Sequence, residues 1–165
     1  MSLFALDMLQ MAEELLQQMR AKKLKLATAE SCTGGLVSAL LTEISGSSSV
    51  FTHGYITYAN EAKTQMLGVP ESLLDLVGAV SEQVAVAMAE GALKHSGADV
   101  AVSLTGIAGP SGETPNKPVG LVHIASVRSG YATLHEWRQF AGDRAAVRLQ
   151  ATILALELIG QQVSN

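Results

Sequence analysis

Aromatic residues are scarce in this 165-residue chain, only 4%, with one tryptophan, three tyrosines and three phenylalanines. That excludes an interior built on large rings, so Ala, Val, Leu and Ile must fill it, as in layered α/β proteins. Cysteine is rarer still. Cys32 stands alone, which excludes an internal disulfide and fits a reducing compartment. Basic excess is absent as well: 11 Lys and Arg face 15 Asp and Glu for a formal charge of -4, leaving no overall positive field to attract nucleic acid. No uninterrupted apolar stretch approaches the roughly 18 residues of a membrane-crossing helix. The first 23 residues carry Asp7, Glu13 and Glu14 among spaced Leu and Met, unlike the basic start and apolar block of a secretory signal. The expectation is one cytoplasmic domain over residues 1–165, large enough to bury roughly two-thirds of its unfolded surface.

What is present reads as alternating helices and strands. An opening helix leads to a strand over Leu24 to Ala27, then an amphipathic helix over Leu36 to Ile44 and a loop at Gly46-Ser47-Ser48-Ser49. A strand with alternating faces is expected from Val50 to Tyr58, and short helices over Asn60 to Leu67 and Pro70 to Leu76. Ser81 is placed to cap a longer helix through Lys94. Asp99 to Leu104 has the continuous apolar character of a strand buried on both faces, and it empties into a Gly- and Pro-rich loop reaching Lys117. A hairpin then turns at Arg128-Ser129-Gly130, between Val119 to Val127 and Tyr131 to Phe140, and Asp143 caps a final amphipathic helix. Strands separated by helices with a late hairpin predict a three-layer α/β/α sandwich around a mixed sheet. The apolar faces raise self-association into a homo-oligomer as a further expectation.

Two segments carry chemistry. In Thr28-Ala29-Glu30-Ser31-Cys32-Thr33-Gly34-Gly35 a hydroxyl and small residues fall where a strand turns into a helix. First-turn amides from Cys32 to Gly35 would lack intrahelical partners there and could hold a phosphate or an oxyanion. An ordinary Ser/Thr N-cap explains the same residues about equally well. In Tyr55-Ile56-Thr57-Tyr58-Ala59-Asn60-Glu61-Ala62-Lys63 a lysine falls third in a helix capped by Asn60, where the positive helix end and partial burial both favour the neutral amine a general base must be. Tyr58 beside it could share a proton network. A solvated lysine and a wet core-edge tyrosine are the alternatives. Cys32 is a second candidate nucleophile, since thiols acidify at helix N-termini.

Downstream, Thr105-Gly106-Ile107-Ala108-Gly109-Pro110 lets backbone approach a ligand closely, and it lacks the GxxxxGK[ST] pattern of an ATP loop. Arg144 and Arg148 lie one helical turn apart, suited to a phosphate or else to solvent or Asp143. His123 and His135 would stand opposite each other if the hairpin turns at Arg128 to Gly130, which raises a metal pair, and a one-residue register change separates them. With no third ligand, HExxH or cysteine cluster, no metal site is expected.

In order, the runs AESCTGG, YITYANEAK, GAVSE, TGIAGP and KPVG closely resemble the C-terminal domain of the competence/damage-inducible protein CinA, the nicotinamide-nucleotide amidase family, over essentially the whole chain. The resemblance implies a three-layer fold and a cofactor-free deamidation of nicotinamide mononucleotide to nicotinic acid mononucleotide and ammonia. It implies a serine and lysine pair assisted by a tyrosine, roles that fall on Ser31, Lys63 and Tyr58, with Thr33 and Gly34 amides at the oxyanion. A substrate with a phosphate and a pyridinium cation calls for a cationic group, foremost Arg144 and Arg148 and less so Arg138 and Lys117, with Glu30 at the other end. The expected substrate contacts are thus Glu30, Thr33, Gly34, Gly35, Asn60, Thr105, Gly106, Ala108, Gly109, Arg144 and Arg148. The chain begins near that domain's own start and is expected to be its stand-alone form. A lysine-activated water in place of Ser31 attack, and a non-catalytic nucleotide-sensing or interaction module, stay open as alternatives.

Overall fold

Period-two alternation along the central strands decides which helices each face receives. The computed structural model describes residues 2–165, in the order α1 (Leu6–Ala21), β1 (Leu26–Glu30), α2 (Leu36–Glu43), a short 3-10 turn (Ser47–Ser49), β2 (Phe51–Ile56), α3 (Asn60–Leu67), α4 (Glu71–Val77), α5 (Glu82–Ser96), β3 (Val100–Gly106), β4 (Leu121–Arg128), β5 (Leu134–Gln139) and α6 (Arg144–Ser164). One sheet face presents Leu26, Val100, Val102, Leu104, Val122 and Ile124 to α1, α2 and α6. The other presents Ala27, Ala29, Ala101 and Ala125 to α5, which answers with Ala85, Met88, Ala89 and Ala92. Small residues on both sides bring α5 so close that Ser103 Oγ donates to the Ala85 carbonyl inside the layer. Helices on both faces of a mixed sheet make the expected three-layer α/β/α sandwich.

The strand order is β2-β1-β3-β4-β5. β1 pairs in parallel with β2 and with β3, whereas β3/β4 and β4/β5 are antiparallel. β1, β2, β3 and β5 therefore all point the same way, and their carboxyl ends emerge along one rim. The chain leaves β1 toward β2 on one side and returns as β3 on the other, so the order reverses at β1. Open α/β sheets bind ligands outside the carboxyl ends at such a reversal.

Element positions differ from the sequence reading at three places that matter for the site. β1 runs on to Glu30 instead of ending near Ala27. Thr28 and Glu30 are polar yet wholly buried, because Thr28 Oγ1 meets Ser38 Oγ at 2.8 Å and the Glu30 carboxylate is fully bonded by α2 and the turn before it. β2 stops at Ile56 rather than Tyr58, since the Thr57 and Tyr58 carbonyls turn toward Lys63 instead of continuing a ladder. As an edge strand, β2 is largely exposed and shows little of the burial alternation expected of it. The residue before α3 is Ala59, with no side-chain cap, so Asn60 is the first helical residue and Lys63 the fourth. The Ser81 and Asp143 caps form as expected, accepting from the Val84 and Ala146 amides.

The seat of α3 is fixed by α5. A Cβ at Gly91 would lie 2.0 Å from the Leu67 carbonyl oxygen, so only glycine lets the end of α3 rest on that helix. Lys63 and Leu67, one turn apart, are the buried residues of α3. No helix among the described residues is long and apolar enough to cross a membrane.

Candidate active site

Parallel pairing brings the residues that follow β1, β2 and β3 to the same rim. The ladder extends past the strands through Thr57 N–H to the Glu30 carbonyl at 2.9 Å and Ser31 N–H to the Leu104 carbonyl at 3.0 Å. Ser31 is thereby tied to β3 while Lys63 is delivered from the helix after β2. Their side chains meet: Lys63 Nζ lies 3.0 Å from Ser31 Oγ. The same nitrogen donates to the Thr57 carbonyl at 2.8 Å and reaches the Tyr58 carbonyl at 3.3 Å. Lys63 is 1% exposed, and no carboxylate is within ion-pairing distance of it among the described residues. Burial pushes its ammonium below the ordinary lysine range, while the Cys32 sulfur and the Glu61 carboxylate pull the other way.

A cavity of about 290 Å³ opens over this pair. Ser31, Lys63, Tyr58 and Asn60 line one side; Thr105, Gly106, Ala108, Gly109 and Arg144 line the other. Backbone forms much of that second wall. A Cβ on Gly106 would sit 2.6 Å from Val122 Cγ2 and 2.7 Å from the Leu121 carbonyl, so the loop hugs β4 and leaves the space open. A larger hollow of about 760 Å³ lies across α5 but contains neither Ser31 nor Lys63, and chemistry rather than size singles out the smaller one.

Several expected contacts lie elsewhere. Glu30 is wholly buried and points away from the cavity, because adjacent residues of an extended chain face opposite sides of a sheet and Ser31 takes the cavity side. Thr33, Gly34 and Gly35 also stand outside the cavity lining. Gly34 and Gly35, at φ 59° and 101°, make the left-handed bend that turns the chain from β1 into α2, and Gly35 takes the residue position before the helix, so the alternative of an ordinary Ser/Thr cap does not hold. The Gly34 amide is already given to the Ser31 carbonyl and the Gly35 amide to Glu30 Oε2, each at 3.0 Å. Among the described residues, the Cys32 and Thr33 amides donate to no other residue, and the Cys32 amide lies near its own sulfur. Arg148 does not face the cavity either: its Nε and Nη2 donate to the Cys32 and Thr33 carbonyls at 3.1 and 3.0 Å.

Arg144 is the arginine at the cavity. Its Nη1 donates to the Gly109 carbonyl and its Nη2 to the Tyr58 phenol oxygen, both at 2.9 Å. Tyr58 is 62% exposed, and only its backbone carbonyl approaches Lys63, so its phenol belongs to Arg144 rather than to the lysine's proton network. Lys117 donates to the Val77 carbonyl, and Arg138 pairs with Glu136 at 2.6 Å, both away from the cavity. Cys32 and Ile107 also line the cavity, and the sequence reading gave no site role to Ser111 and Gly112, or to Ala79 and Val80, which complete the lining. Their signals were the continuing Gly-Pro-Ser-Gly run and the GAVSE motif, whose Ala79 carbonyl accepts from Thr105 Oγ1 at 2.8 Å.

Cys32 lines the cavity beside Ser31, but its burial disfavours the thiolate that a cysteine nucleophile requires. It is 6% exposed, packed in the core, and burial pushes its thiol up to about 11. Its own amide, Lys63 and Arg148 favour the thiolate and Glu30 opposes it, without reversing the effect of burial. Iodoacetamide at about pH 8 is expected to leave the native protein unmodified and to alkylate it fully in denaturant. Intact mass reads both results, since Cys32 is the sole thiol.

His123 and His135 are not paired directly; His123 faces Trp137 and His135 faces Ala125. An even, two-residue offset keeps both on one face, with Nδ1 of His123 3.0 Å from Nε2 of His135. Burial, His135 and Lys117 lower the His123 pKa, against Glu82. No described group of three or more His, Cys, Asp or Glu is arranged to hold a metal ion.

The fold and site define a class: an α/β/α enzyme-like domain whose switch-point cavity holds a serine against a buried, unpaired lysine. Residues 8–163 match the CinA C-terminal domain, and the chain belongs to that family. It is 50% identical over 157 residues to the nicotinamide-nucleotide amidohydrolase PncC of Shigella flexneri, covering 94% of each chain. The protein of the same name from Escherichia coli K12 is 49% identical over 156 residues, again covering 94% of each. The solved competence/damage-inducible protein CihA from Agrobacterium tumefaciens superposes with a TM-score of 0.96 at 44% identity, covering 100% of both chains.

Proposed function

We propose that this protein is a nicotinamide-nucleotide amidohydrolase in which Lys63 activates Ser31 against the carboxamide of nicotinamide mononucleotide. The name shared by the relatives with half its residues in common supplies the substrate. The observation that carries the mechanism is the 3.0 Å contact between a buried lysine with no carboxylate partner and a serine in a cavity.

Neutral Lys63 takes the Ser31 hydroxyl proton as Oγ bonds to the amide carbon. The carbonyl π electrons move onto oxygen, where the Cys32 amide, at the cavity wall and bonded to no other residue, is the available donor in place of the expected Thr33 and Gly34 pair. Lys63 then returns its proton to the departing nitrogen, the C–N bond breaks, and ammonia leaves an acyl ester on Ser31. Water repeats the sequence: Lys63 accepts its proton, oxygen attacks the ester, and the proton goes back to Ser31 Oγ as the carboxylate is released. Thr57 and Tyr58 hold the amine through their carbonyls in both halves. Arg144 faces the substrate phosphate, with the Tyr58 phenol steering its guanidinium. Nucleotide chemistry and a lone reduced thiol both suit a cytoplasmic enzyme.

Ammonia release from nicotinamide mononucleotide, assayed with a chelator present, tests this directly. Turnover supports the metal-free amidase; binding without turnover makes the protein a nucleotide sensor. Arg144→Met is expected to raise KM for the mononucleotide by roughly 10- to 150-fold, the value of one charge-assisted contact. The same variant should hydrolyse the phosphate-free riboside as the wild type does. Equal losses on both substrates would detach Arg144 from the phosphate.

A further inference from the structure

We infer that Glu30 and Arg148 are positioning residues that clamp the serine-bearing turn from opposite sides and leave the Cys32 amide, at the cavity wall, free for the oxyanion. The inference rests on the amidase reading above for its catalytic meaning, and on the hydrogen bonds alone for its structural one.

Glu30 gathers the donors. Its Oε2 accepts from Thr33 Oγ1 at 2.7 Å, Gly35 N at 3.0 Å and Val37 N at 3.1 Å, while Oε1 accepts from Ser38 N and Ser38 Oγ, each at 2.9 Å. Five donors converge on one wholly buried carboxylate. A side chain on β1 thus satisfies the start of α2, a task ordinarily left to the residue beside the helix, which here is Gly35 and has no side chain to offer. Arg148 gathers acceptors. From one turn inside α6 its guanidinium takes the Cys32 and Thr33 carbonyls with two separate N–H groups.

With the donors of residues 34, 35, 37 and 38 occupied and the carbonyls of residues 32 and 33 held, the only unspent amides of the turn are those of Cys32 and Thr33. They directly follow Ser31. Polarity follows from the same arrangement. No ion pair joins Glu30 to Arg148 among the described residues, so the peptide groups between them lie between an anion and a cation. The Glu30 carboxylate by itself would oppose negative charge growing on the substrate oxygen. The Arg148 cation, held on the carbonyls of residues 32 and 33, offsets it. Glu30 therefore sets the geometry, and Arg148 sets both the geometry and the sign.

Arg148→Met tests the clamp at a half-exposed site; Glu30→Gln, at a buried one, is the more hazardous variant and serves as its companion. The expected result for Arg148→Met is a kcat for nicotinamide mononucleotide lowered by about 10- to 100-fold with KM within about threefold, one lost oxyanion interaction being worth up to that order or more. Iodoacetamide should also reach Cys32 faster, well below the melting temperature, because the turn is no longer held. Arg148→Lys, a single charge without the fork, should fall between the two. A kcat within twofold of wild type overturns the inference, whether or not Cys32 becomes reactive. A kcat loss with Cys32 still fully protected also overturns it, because the arginine would then act without clamping the turn. The thiol readout needs no substrate, so failure of the amidase reading shows as no turnover in the wild type, separate from failure of the clamp.

Discussion

Lys63→Met is expected to lower ammonia release by about 10²- to 10⁴-fold, the usual worth of a general base, while the protein stays folded. Methionine matches the lysine's length and suits a site that is 1% exposed. It leaves the Thr57 and Tyr58 carbonyls without their Nζ donor; Tyr58 lines the cavity, where water can replace it, while the buried Thr57 carbonyl loses its partner, which lowers the melting temperature without unfolding the protein. Circular dichroism and the melting temperature check the fold, and steady-state kinetics checks the rest.

The pH dependence of the wild type has a fixed sign. Lys63 works as the free amine, and burial lowers its pKa, so kcat/KM should rise with pH and level off earlier than an ordinary lysine would allow. Stability should run in the same direction. Between the lowered folded pKa and the ordinary unfolded one, the unfolded chain binds more protons at this position, so folding gains as pH rises through that window. Lys63→Met should abolish this slope in the pH series of melting temperatures. If the slope persists unchanged in the variant, the lysine is not the group responsible.

Ser31→Ala removes the proposed nucleophile and is expected to lower kcat by at least about 10³-fold, since the members of such a unit fail together rather than additively. The double variant with Lys63→Met should be little worse than either alone. Rapid quenching of the wild type with nicotinamide mononucleotide should yield Ser31 carrying the nicotinoyl nucleotide, read as a mass increment on the peptide containing residues 26–43. Near-normal turnover in Ser31→Ala would instead make Lys63 the activator of a water and leave Ser31 to orient the amide.

The two segments carrying these experiments were legible in the sequence because each has a local cause. The glycines after Ser31 mark a bend, and Lys63 falls at the end of a helix that disfavours surface ammonium groups. What misled there was the assumption that a helix is capped from its own sequence. Asn60 was expected to cap α3 and a Ser or Thr cap was the even alternative for α2, yet α3 has no side-chain cap and α2 takes Glu30 from a strand five residues earlier. Glu30 and Arg148 looked like substrate ligands because charge in a motif suggests exposure, and both are spent on the turn itself.

Sequence by itself determined the layered α/β class, the positions of most elements, the two caps at Ser81 and Asp143, and the candidate pair, because propensity, period and capping act within a few residues. Only the tertiary structure decided the strand order, and with it the meeting of Ser31 with a lysine 32 residues away. It alone decided that Cys32 is almost wholly buried at the cavity wall and that the Tyr58 phenol meets Arg144. It also separated the two arginines, one facing the cavity and the other the turn. Such outcomes depend on which parallel strands lie side by side and which face each residue takes, and no local pattern carries that information.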